Sequence, residues 1–273
     1  FRRVLFRSDL LERLRQVAVL VEDSDVTGMQ PTVVVDVVRP ASPQAERRRR
    51  RLEDPFGFGS KECLQWHVEA KPFSIGFRIE HPQSLIDRAR HGPNAQHPVL
   101  GAADYKLVHH AKNGRSVYSF CMCPGGTVVA AASEEGRVVT NGMSQYSRNE
   151  RNANAGIVVG ITPEEDYPGH PLAGMELQRK LEAHAFELGG KNYEAPGQLI
   201  GDFIANKPST QFGSVQPSYT PGVHLTNLDT ALPAFAITAI REAIPAFAKQ
   251  IKGFDLADGV LTGVETRTSS PLR

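Results

Sequence analysis

Phe73-Ser74-Ile75-Gly76-Phe77-Arg78-Ile79 alternates apolar residues with small or polar ones, the period-two pattern of a β-strand. Downstream of it, His81-Pro82-Gln83-Ser84 leads into a short helix predicted over 85–90, with Pro82 near its start. Further strands are predicted over 116–122, 127–132 and 137–140, with Gly125-Gly126 and Glu135-Gly136 as turns. Connections this short admit only antiparallel pairing. A fifth strand follows over 155–161. Helical spacing then takes over at Pro171, with Leu172, Leu177, Leu181, Ala185 and Leu188 on one side and Gly189-Gly190 as the stop. A second helical run holds Leu232, Phe235, Ile240, Ile244, Phe247 and Ile251, broken or kinked at Pro245 and stopped by Gly253. Strands followed by helices, without βαβ alternation, define an α+β class: an antiparallel sheet or barrel-like unit with helices.

Upstream, the text is erratic. A helix is predicted over 10–22 from Leu10, Leu11, Leu14, Val17 and Leu20, and a strand over 33–38. Pro40-Ala41-Ser42-Pro43 and a run of five arginines, Arg47 to Arg51, come next. Such a run suits either a nucleic-acid patch or a self-repelling, solvated linker; no aromatic residues interleave with it, which favours the linker. Phe1 to Ser8 resembles translated sequencing-adapter text. Residues 1–66 are therefore expected to be a poorly ordered or non-native segment, and 67–273 to be the domain proper.

The 273 residues are 40% hydrophobic and 22% charged, as in globular proteins, and 31 Lys and Arg nearly cancel 30 Asp and Glu. That balance offers no whole-chain field for nucleic acid or an anionic membrane. No apolar run approaches a spanning helix, and the start lacks a secretory h-region. Three cysteines cannot frame a disulfide scaffold, so a reducing cytoplasm is the expected setting. There is no P-loop, H-E-x-x-H or C-x-x-C pair. Gly57-Phe58-Gly59-Ser60-Lys61-Glu62 fails as a dinucleotide fingerprint because Glu62 stands where the third glycine belongs. Composition admits both an enzyme and a non-catalytic binding module with a basic N-terminal tail.

Five blocks carry a resemblance: Glu69 to Gln83, Gly101 to Leu107, Tyr118 to Gly126, Asn141-Gly142-Met143-Ser144 with Arg148-Asn149, and Gly263 to Pro271. Together, and in this order, they resemble a bacterial family of FAD-dependent oxidoreductases, the NAD(FAD)-utilising dehydrogenase-like flavoproteins. The resemblance covers residues 69–273. It implies FAD as cofactor, NAD(P)H as a candidate electron partner and a small-molecule substrate. Family members carry a glycine-rich FAD fingerprint upstream and a second glycine-rich segment downstream. The chain thus resembles the substrate or cap domain that interrupts a two-part FAD domain, and FAD binding by this stretch alone is expected to be weak or absent.

Two blocks are candidate cofactor-binding segments on that resemblance. Cys123, Pro124, Gly125 and Gly126 offer backbone that a ring can approach closely, the alternative being an ordinary hairpin turn. Arg267, Thr268, Ser269, Ser270 and Pro271 form a loop whose hydroxyls and guanidinium suit an anionic group, against the alternative of a polar surface loop. Asn141, Ser144 and Arg148 belong to a polar run that suits either a substrate cleft or a solvated loop. Cys121 and Cys123, two apart on a strand, face the same way, but a bridge there would strain disulfide geometry. Adjacent His109 and His110 on a strand face opposite ways, so no metal site is expected. Tyr105, Tyr118 and Tyr146 are candidate proton donors that nothing in the sequence positions.

Overall fold

The computed structural model describes the backbone of residues 17–20, 33–37 and 65–66 and, in full, residues 68–95 and 97–272. The chain divides into two compact units, Phe1–Glu69 and Ala70–Arg273.

In the first unit, β1 (Val17–Leu20), β2 (Val33–Val37) and β3 (Gln65–Trp66) pair antiparallel in that order. The helix expected over 10–22 is therefore wrong at 17–20. Val17-Ala18-Val19-Leu20 pairs with Val37 back to Val34, and a ladder against a valine run outweighs a weak helical stripe. The strand expected over 33–38 is found as β2. The expected loose or non-native character of residues 1–66, the Pro-rich linker and the arginine run lie outside the described residues.

The second unit is α+β. Its eight-stranded, mostly antiparallel sheet comprises β4 (Phe73–Pro82), β5 (Val108–His110), β6 (Ser116–Ala130), β7 (Thr140–Ser144), β8 (Asn152–Ile161), β9 (Ala195–Leu199), β10 (Val223–Leu225) and β11 (Val260–Glu265). The order is β10-β9-β11-β4-β8-β6-β5, with β7 branching from β6; β9 and β10 pair in parallel. The helices are α1 (Gln83–His91), α2 (Ala173–Leu188), the short α3 (Ile200–Ile204) and α4 (Ala234–Ala248). Pro245 lies inside α4 without ending it. Among the described residues no helix is long and apolar enough to cross a membrane.

The pairing of β4 with β8 sorts their side chains onto two faces. Phe73, Ile75, Phe77 and Ile79 stand opposite Ile161, Val159, Ile157 and Ala155, while Ser74, Gly76, Arg78 and Glu80 stand opposite Gly160, Val158, Gly156 and Asn154. Directly opposed residues share a face. The first set joins Ile237, Ile240, Ile244 and Phe247 of α4 and Phe203 of α3 in one core. The second set is polar or small apart from Val158, and all of it except Gly160 is buried as well.

Three departures from the predicted strands have identifiable causes. The hairpin expected at Gly125-Gly126 does not form; β6 runs through it as one bent strand. Register shifts fall between Phe120 and Cys123 and again between Cys123 and Gly126, three residues of β6 facing two of β8 each time. Such bulges bend a strand, and the second half of β6 leaves β8 to pair with β7. The strand expected at 137–140 begins instead at Thr140, because the Val138 N–H is bonded to the Glu182 carbonyl of α2. β9, β10 and β11 were not predicted: β11 is buried at all six positions and shows no polar alternation.

Candidate functional site

Arg78 occupies a polar slot in the middle of β4 and is wholly buried. Its Nε donates to Glu265 Oε2 at 2.8 Å, its Nη1 to the Cys121 carbonyl at 2.9 Å and to Asn154 Oδ1 at 3.2 Å, and its Nη2 to Asn141 Oδ1 at 2.8 Å. One guanidinium thus ties β4 to the ends of β11 and β8, the start of β7 and the first bulge of β6. Burying an ion pair costs several kcal/mol per charge before the pairing offsets it, so this cluster is an expensive way to hold five strands together. Burial pushes the Glu265 carboxyl above its usual range while Arg78 pulls against the rise. Beside the cluster, Asn154 Nδ2 is buried without a hydrogen-bond partner.

Two residues further along β4, buried Glu80 accepts from Asn152 Nδ2 at 2.9 Å and from the Ser218 N–H at 3.1 Å and hydroxyl at 2.5 Å. Burial raises its pKa, partly opposed by those bonds and by Arg151. Sequence reasoning missed Arg78, Glu80, Asn154 and Glu265 as a group. A signal was available: charges in the polar slots of an alternating strand whose other face is apolar.

Cys123 to Gly126 lie against this cluster. Cys123 is buried, its thiol donates to the Cys121 carbonyl at 3.3 Å, and burial pushes that thiol up. Gly125 has φ 45°, and its N–H donates to Gln83 Oε1 at 2.7 Å. A Cβ on Gly125 would stand 1.9 Å from the Arg148 carbonyl oxygen, and one on Gly126 would stand 2.4 Å from that of Met143. The close backbone approach expected of Pro-Gly-Gly is present, but the chain's own 143–148 segment makes it. The Pro124 carbonyl accepts from the Ser144 hydroxyl at 2.9 Å. Asn141 is half-buried and also accepts from the Gly142 N–H at 2.8 Å, while Arg148 is exposed with φ 48°. Cys123 to Gly126, Asn141 and Ser144 are thus one neighbourhood, and Arg148 lies on its rim.

The 267–271 block sits elsewhere. Arg267 grips the fully buried carboxylate of Glu182 through Nε at 2.9 Å and Nη2 at 2.7 Å, and Nη1 reaches the Ser133 hydroxyl at 2.7 Å. The Thr266 hydroxyl adds a bond to Glu182 at 2.8 Å. Thr268 Oγ1 accepts from the Ser74 N–H at 3.0 Å, the Ser270 hydroxyl donates to the Leu272 carbonyl at 2.9 Å, and Pro271 is buried beside Gly174. Ser269 donates to the Ser270 carbonyl at 3.4 Å. Thr268 is therefore at the Ser74 end of β4, whereas Gly126 pairs with Asn152, opposite Pro82. With a rise of about 3.3 Å per residue, those ends of β4 are roughly 26 Å apart.

Of the tyrosines, Tyr118 contacts the Ser74 hydroxyl, Tyr105 is buried with its hydroxyl unpartnered, and Tyr146 is exposed. His109 bonds Glu242 at 3.1 Å and His110 bonds Ser116 at 2.9 Å. Among the described residues no group of three His, Cys, Asp or Glu could hold a metal ion. A cavity of about 290 Å³ is lined by Arg90, Asp104, Tyr105, Lys106, Leu107, Gln250 and Ile251, and none of the candidate cofactor or substrate residues lines it.

For FAD, the donor set fits one wall of a site and does not form a cradle for the diphosphate. Gly125 and Gly126 are filled by the chain's own backbone, and Arg267 is engaged by Glu182. The edge formed by exposed Cys121, half-buried Asn141 and Gly142, and Ser144 is what a ligand can meet.

The model of a family described as "FAD-dependent protein, C-terminal domain-like" matches residues 72–268. A protein of Clostridium beijerinckii (strain ATCC 51743 / NCIMB 8052), described as an uncharacterized protein, is 54% identical over 207 residues, which cover 76% of this chain and 39% of that protein. The chain thus matches about two fifths of its relative's length.

Proposed function

Because the chain belongs to the FAD-dependent protein C-terminal domain-like family, we propose that it is the substrate-binding domain of an FAD-dependent oxidoreductase and forms one wall of the flavin site. The observation that carries this reading is the convergence on Arg78. Segments as remote in sequence as Cys121, Asn141, Asn154 and Glu265 meet on one buried guanidinium, and two of them, Cys121 and Asn141, continue outward to an accessible edge. A flavin, when bound, supplies hydride chemistry; the protein supplies orientation and exclusion of water. Arg78 holds the Cys121 carbonyl and the Asn141 amide in place, so the edge is rigid before anything binds. Gly142 keeps that arrangement closed: a Cβ there would stand 2.4 Å from Arg78 Nη1 and 2.5 Å from Asn154 Oδ1. Ser144 and Arg148 line the outer side, where a small-molecule substrate can reach them. Arg267 holds the far end of the domain to α2 through Glu182.

The test is a longer chain, extended on both flanks. It should carry flavin absorbance through gel filtration, whereas residues 1–273 should lose it. In the extended holoenzyme, Asn141→Ala and Arg148→Ala should slow flavin reduction by nicotinamide donors, or weaken their binding, about tenfold at unchanged flavin content. A colourless extended protein overturns the reading.

A further inference from the structure

We propose that Cys121 and Cys123 are a dithiol–disulfide pair that exchanges with small-molecule disulfides, with Cys121 as the attacking thiol and Cys123 as the resolving one; this does not depend on a bound flavin. On a regular strand, residues two apart are separated by about 6.7 Å, at the outer limit of disulfide geometry. The structure removes that obstacle. Phe120 pairs with Gly156 and Cys123 with Asn154, so three steps along β6 cover the length of two along β8. The chain is thus compressed across 120–123, which brings the Cα atoms of Cys121 and Cys123 closer than the about 6.7 Å of a regular strand and away from the outer limit of disulfide geometry. Cys121 has φ 44°, an uncommon left-handed conformation for a residue with a side chain. The Cys123 thiol donates to the Cys121 carbonyl at 3.3 Å, and Arg78 Nη1 donates to the same carbonyl at 2.9 Å.

The two thiols differ as an exchanging pair requires. Cys121 is exposed and Cys123 is buried. Burial raises the Cys123 thiol, and the Arg78 charge opposes that rise. The exchange has two steps. Cys121 releases its proton to water, its thiolate attacks one sulfur of a disulfide RS–SR, the S–S bond breaks, and RS⁻ leaves and is protonated by water. Cys123 then releases its proton to water, its thiolate attacks the Cys121 sulfur, and the second RS⁻ leaves and is protonated. Two cysteine thiols are oxidised by two electrons, and RS–SR is reduced to two molecules of RSH.

The experiment uses the full chain carrying Cys63→Ser, which leaves these two of the three cysteines, with cystamine as the disulfide. Trypsin releases both in one peptide, Ser116 to Arg137. After acid quenching, mass spectrometry should find that peptide lighter by two hydrogens and free of adduct. Added Cys123→Ser should trap a cysteamine adduct on Cys121. Added Cys121→Ser should leave Cys123 reacting at least about tenfold more slowly than Cys121 does. A persistent adduct on Cys121 with Cys123 present, equal reactivity of the two thiols, or an inert Cys121 overturns the proposal.

Discussion

The two faces of the β4–β8 pair are buried alike and built from opposite chemistry. On one, Ile75, Phe77, Ile79, Ile157 and Val159 pack into the core with α4 and α3. On the other, Arg78, Glu80, Asn152 and Asn154 are also buried, held by named hydrogen bonds. Apolar packing is non-directional and tolerates repacking, because each contact is weak and many share the load. Buried charges are directional: each partner is stabilising only while the other is present. The apolar face therefore stabilises the fold, and the polar face specifies the placement of Cys121 and Asn141 at the accessible edge.

The largest effects should come from truncations, and their combination separates the faces. Phe77→Ala and Arg78→Met should each cost about 3–5 kcal/mol, the first by leaving a cavity and the second by stranding the Glu265 carboxylate. Adding Glu265→Gln to Arg78→Met should recover most of that loss in urea denaturation. Adding Ile157→Ala to Phe77→Ala should deepen it. If the Arg78 and Glu265 changes add as the apolar ones do, the two faces do not differ in the way described.

Acid and base should act on the faces in opposite directions. His81 is on the apolar face, fully buried, with Nε2 bonded to the Phe254 carbonyl at 2.7 Å, and burial lowers its pKa from 6.5 to about 4. Its folded pKa is depressed, so its contribution is present above pH 6.5 and is lost as pH falls toward 4, by up to about 3 kcal/mol. Burial raises Glu80 from 4.5, so its contribution is present below pH 4.5 and is lost as pH rises through the higher folded value. Denaturation across about pH 4 to 8 should show His81→Phe flattening the acid limb and Glu80→Gln the alkaline one. One variant flattening both limbs would show the faces to be electrostatically coupled.

Smaller effects sharpen the boundary of the polar face. Gly142→Ala must displace Arg78 Nη1, Asn154 Oδ1 and the Cys123 sulfur, which stands 2.8 Å from the added carbon, and should cost about 1–3 kcal/mol. Arg148→Ala, at the exposed rim, should change stability by less than about 0.5 kcal/mol. A large loss there would extend the structural face out to the rim and weaken its assignment to substrate.

Much of this architecture is legible in the sequence alone. The alternation at Phe73 to Ile79 determined β4 and its two faces, because side chains on a strand alternate whatever the strand packs against. The leucine spacing before Gly189 determined α2, and the apolar run around Pro245 determined α4, since a 3.6-residue stripe is a local property. The sequence also nominated Cys123 to Gly126, Asn141 and Ser144, and the fold brings these together. Other features depended on partners distant in the chain. Whether Gly125-Gly126 turns or bulges was decided by the register against Asn152 and Asn154. Whether Arg267 is free or paired was decided by Glu182, 85 residues away. That Arg78 is the centre of the cluster was decided by Cys121, Asn141, Asn154 and Glu265 meeting around it. A period along one strand records which side a residue faces, whereas the identity of what it meets there is set only when remote strands fall into register.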